Sequence, residues 1–149
     1  MSEAQVAAIG AFAVLAINAT AGAFAALCWW QVRTNAAVWP LLRAGQVAAG
    51  LQALLVGVLF AAGYRPADEL FWLYALLPVA IGLIAEQLRI VSAEQVLENR
   101  GLPDAQAVGA LPDSEQRSIV LSVVRREIGV MALAALVVAF LALRAALIA

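Results

Sequence analysis

Residues 86–127 read EQLRIVSAEQVLENRGLPDAQAVGALPDSEQRSIVLSVVRRE. The stretch leaves an apolar run through Glu86 and Arg89. It re-enters one directly after Arg125, Arg126 and Glu127. Almost everything on either side is lipid-compatible. The chain is 65% hydrophobic and 13% charged, against roughly 45–50% and about 25% for a soluble domain. Such a composition belongs to an integral membrane protein, and the polar stretch is where its chain leaves the lipid and returns.

Working outward, the apolar run before Glu86 is short. Leu70 to Ala85 is 16 residues, which rise roughly 24 Å against a hydrocarbon core of ~30 Å. To cross, this span must take in Glu86 and reach toward Arg89. Pro78 sits inside it and removes one backbone hydrogen bond. Asp68 or Glu69 can accept from its first free amides. Beyond Arg89, residues 90–100 are good helix formers and Gly101 is a stop signal. Leu-Pro-Asp recurs at 102–104 and 111–113. Each copy reads as a helix start, the second with Asp113 and Gln116 as a capping box. A last helix then runs from about 114 to 148.

Upstream lie two more apolar runs, at about 4–30 and 39–62. The expected spans are therefore about 4–30, 39–62, 69–91 and 126–148, in a single membrane domain over 1–149. The expected fold is an all-α integral membrane protein, an antiparallel up-and-down four-helix transmembrane bundle. Helices three and four extend beyond the lipid as a cytoplasmic hairpin, about 90–125. All nine basic residues are Arg. Arg33, Arg43, Arg89, Arg100, Arg117, Arg125 and Arg126 fall on one side of this topology, and Arg65 and Arg144 on the other. By the positive-inside bias, the reading is a multi-pass protein of the bacterial plasma (inner) membrane with both termini outside.

Three sets of residues are candidates for a site. Folding helix three against helix four about the loop centre brings Glu86 level with Arg126 and Glu127. Opposite charges at one depth should pair, so the expectation is Glu86 with Arg125 or Arg126, and Glu127 with Arg89. Asn18, Gln46 and Gln52 are amides within the apolar runs, suited to hydrogen bonds between helices or to lining a polar path. Gly45, Ala49, Ala53, Gly57 and Ala61 recur every four residues and form a small-residue packing ladder on helix two.

Several chemistries are excluded or disfavoured by residue type. There is no His, which removes imidazole haem ligation and most zinc sites. The single Cys28 forms no internal disulfide or redox pair. No metal or cofactor is expected, and a net charge of −1 leaves no nucleic-acid footprint. Small multidrug transporters carry a carboxylate deep in span one, where this chain has Asn18 and no acid.

The sequence carries no catalytic motif. The leading expectation is a non-enzymatic structural or accessory subunit. Its partners would be membrane lipid, further copies of itself or a larger membrane complex. The alternative is a small oligomeric transporter or channel with Glu86 as its protonatable group.

Overall fold

Long apolar runs with few helix breakers in their interiors build the four long helices. A computed structural model describes all 149 residues, which are 83% helical with no strand. Four helices are long and apolar enough to cross a membrane. They are α1 (Glu3–Trp30), α2 (Val38–Ala61), α3 (Leu70–Asn99) and α5 (Asp113–Ile148), with a five-residue α4 (Ala105–Gly109) between the last two.

Helix ends follow local chemistry. At the start of α1, Ser2 Oγ accepts from the Gln5 amide at 3.2 Å, and Gln5 Oε1 accepts from the Ser2 amide at 2.9 Å. This is a reciprocal capping box. Asp68 Oδ1 accepts from the Leu70 amide at 2.8 Å at the start of α3, and Asp104 Oδ1 from the Ala107 amide at 2.9 Å in α4.

The expected Asp113–Gln116 box is not formed. Pro112 is the N-cap of α5. The Gln116 amide turns back instead and donates to the carbonyls of Leu111 (2.7 Å) and Gly109 (3.2 Å). The Gly109 carbonyl ends α4 and that of Leu111 lies in the turn after it; both need donors, which is the physical reason the side chain is diverted.

Three helices end in the same way. After α3, Gly101 adopts φ +68°. The Leu102 amide reaches back to the Leu97 carbonyl (3.0 Å) and the Gly101 amide to that of Glu98 (2.9 Å), a Schellman closure. After α2 the same closure uses Gly63 at φ +111°, with Tyr64 bonded back to Leu59 at 2.9 Å. After α1 the left-handed position is held by Val32 at φ +51°, with Arg33 bonded back to Cys28 at 3.0 Å. A β-branched residue is sterically strained there.

The buried residues trace one stripe per helix. On α1 they include Ala7, Ala11, Val14, Asn18, Ala21, Ala25 and Cys28; on α2, Val38, Leu42, Gly45, Ala49, Gln52 and Val56. These stripes repeat every 3.5 residues, the spacing that keeps one seam facing its neighbours. The helices pack as a ring: α2 on α1, α1 on α5, α5 on α3, and α3 back on α2 by a thinner seam. The α1–α5 contact is close because small residues line it. A Cβ placed on Gly22 would lie 3.1 Å from the Leu136 backbone nitrogen, and one on Gly129 would lie 2.9 Å from Trp29 Nε1.

The small-residue ladder on α2 divides. Gly45 and Ala49 are buried, Ala53 is half-buried, and Gly57 and Ala61 are exposed. A four-residue step overshoots one turn by roughly 40°. Four such steps therefore carry the row from the core face to the outer surface. Gly57 has open space where its Cβ would stand.

Candidate functional site

Glu86 sits on the face of α3 that meets α2 and is half-buried. Its carboxylate is held from three directions. Arg43 of α2 grips both oxygens, Nη1 donating to Oε1 at 2.7 Å and Nη2 to Oε2 at 3.2 Å. Gln46 Nε2, one turn along α2, donates to Oε1 at 2.9 Å. Arg89, one turn along α3, brings Nη2 to 3.3 Å from Oε2. Arg43 Nη1 also donates to Gln46 Oε1 at 2.6 Å, which turns the Gln46 amide so that its nitrogen faces Glu86.

The network continues across the bundle. Arg89 Nη1 lies 3.7 Å from Glu127 Oε1 on α5. Its guanidinium stands 5.3 Å from the centre of the Trp39 ring on α2. The result is an alternating chain, Arg43–Glu86–Arg89–Glu127, that ties α2, α3 and α5 at one level. Two positive and two negative charges cancel within it. A neutral, hydrogen-bonded set costs far less to remove from water than any single charge.

The sequence expectation is met only in part. Glu86, Arg89 and Glu127 are brought together. Arg125 and Arg126 do not pair with Glu86 and stay exposed. Arg43 takes that role because it approaches from the neighbouring helix on the same level as Glu86. Arg125 instead lays its guanidinium 5.3 Å from the Trp29 ring centre on α1. A fold-back count could have found Arg43. Taken about the centre of the 62–69 connection, it sets Arg43 level with Leu88 and Arg89, and Gln46 level with Ala85 and Glu86.

The three amides separate into two roles. Gln46 belongs to the Glu86 network. Asn18 and Gln52 are buried in the core and lock α1 to α2 reciprocally. Asn18 Nδ2 donates to the Gly45 carbonyl of α2 at 3.1 Å and to Val14 of its own helix at 3.0 Å. Gln52 Nε2 donates to the Ala7 carbonyl of α1 at 3.0 Å. Each amide lies over a glycine of the other helix: Asn18 over Gly45, and Gln52 over Gly10. Gly10 gave no sequence signal alone, since its role depends on which amide faces it.

Space around Glu86 is limited and one-sided. An outer groove of about 200 Å³ runs along the α2–α3 seam between Arg43, Gln46, Gly82, Leu83 and Glu86. Farther in, a void of about 20 Å³ is bordered by Asn18, Gly45, Gln46, Pro78 and Met131. That is room for a single water. A further void of about 10 Å³ lies beside Gln52, Tyr74 and Pro78. At the far end the seam is closed by aromatic rings. Phe60 of α2 meets Trp72 of α3 edge-to-face at 5.0 Å, and Tyr64 meets Phe71 at 5.9 Å.

No group of three or more His, Cys, Asp or Glu side chains is arranged to hold a metal. No family model, curated protein or solved structure matches the chain.

Proposed function

We propose that this chain is a small structural or accessory subunit of the bacterial plasma membrane. In this reading it is an antiparallel, up-and-down bundle with both termini outside. The α3–α5 extension lies in the cytoplasm. It acts by packing, with copies of itself or with a larger membrane complex.

The observation that carries this reading is the engagement of Glu86. Its carboxylate is bound by two guanidiniums and an amide drawn from α2 and α3. A carboxylate so occupied is a clamp on the thinnest seam of the ring. The topology rests on the seven-to-two Arg distribution. The outward surfaces of α2 and α3 would be the ones offered to partners, since α5 and α1 are the most buried of the four.

A second reading is favoured by one feature, the groove at Glu86 with a void behind it at Asn18. There the chain would be a small oligomeric transporter or channel with Glu86 as the protonatable group. Reconstituted Glu86→Gln protein separates the two. The subunit reading expects a lower unfolding midpoint and the same proton leak as wild-type vesicles. Abolition of a proton-coupled flux with the midpoint intact sinks it in favour of transport.

A further inference from the structure

The ion pairs of the molecule are Arg43–Glu86, Arg89–Glu86 and Arg89–Glu127. Three arginines beside this network, Arg100, Arg125 and Arg126, take no part in them. They line an open-sided cavity of about 400 Å³ between the end of α3 and the first half of α5. Asn99 and Ser122 complete its polar wall, and Val96 is its one apolar residue.

The charge here has no internal use that would account for it. The α3 carboxyl end contributes about half a negative charge, and Glu94 and Glu98 of the same helix form no ion pair with these arginines. Arg125 is shared with the Trp29 ring, but stacking leaves the edge of a guanidinium free to donate. The Ser122 hydroxyl donates to the Ser118 carbonyl of its own helix at 2.9 Å, so the donors left are the planar guanidiniums and the Asn99 amide, which match a tetrahedral oxyanion with acceptors on every side.

We propose that this cradle binds a phosphate group, either a phosphomonoester lipid headgroup or a soluble phosphate. The position suits the first source if the bundle lies in a membrane as proposed above. On α5 the cradle begins at Arg126, next to the Glu127 end of the network. On α3 it begins at Val96, seven residues beyond Arg89, a rise of roughly 10 Å. The layer between the hydrocarbon core and the full bilayer thickness is roughly 5–7 Å deep on each face, so the α5 side of the cradle falls within it and the α3 side stands just beyond.

The test uses the full chain purified in detergent. Native mass spectrometry would follow retention of phosphatidic acid against phosphatidylcholine, with inorganic phosphate as competitor. Arg100→Gln with Arg126→Gln spares the Arg125–Trp29 contact and should weaken phosphatidic acid binding by roughly tenfold or more. Arg33→Gln with Arg117→Gln removes the same charge outside the cradle and should change it less than about twofold.

Competition by millimolar inorganic phosphate identifies a soluble phosphate as the ligand. Retention of phosphatidic acid without such competition identifies the headgroup. Equal binding of both ligands by wild type and the Arg100/Arg126 variant overturns the proposal. So does an equal loss in the Arg33/Arg117 control. The Glu86 flux assay does not touch these residues, so the two ideas fail separately.

Discussion

Val32 is the most strained residue of the backbone by chemistry. It holds a left-handed φ of +51° at the position where the chain uses Gly63 and Gly101 after α2 and α3. Left-handed geometry costs an L residue about 1–2 kcal/mol. Val32→Gly should therefore stabilise the fold by about 1 kcal/mol, read as a raised unfolding midpoint in detergent. A lowered midpoint would mean that Val32 contributes packing that outweighs the strain.

The two amide–glycine locks differ in stiffness. A Cβ on Gly45 would meet Asn18 Oδ1 at 2.5 Å and Cγ at 3.0 Å, and Asn18 is short and doubly bonded. On Gly10 the intruding methyl would meet the far end of the longer Gln52, which can swing away. Gly45→Ala should thus destabilise by about 1–3 kcal/mol and Gly10→Ala by less. Thermal or denaturant unfolding of the pair checks the order.

At the scale of elements, each helix shows what a sequence can and cannot reveal. Four long apolar helices were legible because a bilayer-length apolar run has few other uses. The ends of α3 and α4 were legible from Gly101 and Asp104. The α2 ladder lies only partly in the core, because a regular spacing of four rotates steadily off one face. The true face of α2 alternates four and three, and it admits Gln52 where hydropathy alone would not. Which helix supplied Arg43's partner could not be read from one helix, since pairing depends on neighbours in the ring.

The divided ladder has a consequence for α2. Gly57 faces outward into open space, so Gly57→Leu should leave helix content and the unfolding midpoint of the isolated chain within about 0.5 kcal/mol. If α2 is an association surface, the same change should reduce retention of copies or partners on co-purification from membranes. A drop in monomer stability instead would mean that the outer half of the ladder packs inside the bundle.

Across the whole molecule, the ring is uneven. The α1–α5 side is joined by small residues at short range, and α1–α2 by reciprocal amides. The α2–α3 side relies on two clasps, the Arg43–Gln46–Glu86 node at one end and the Phe60–Trp72 rings at the other. Charge is arranged in the same economical way. The node is neutral within itself, and three of the arginines outside the ion pairs line one cradle beyond it.

The central claim is that Glu86 closes the α2–α3 seam through Arg43. A double-mutant cycle of Arg43→Gln and Glu86→Gln, read as unfolding free energy in detergent, tests it most directly. A coupling of about 1 kcal/mol or more is expected between the two positions. Coupling indistinguishable from zero would contradict it, because the two side chains would then act independently and the seam would be held by something else.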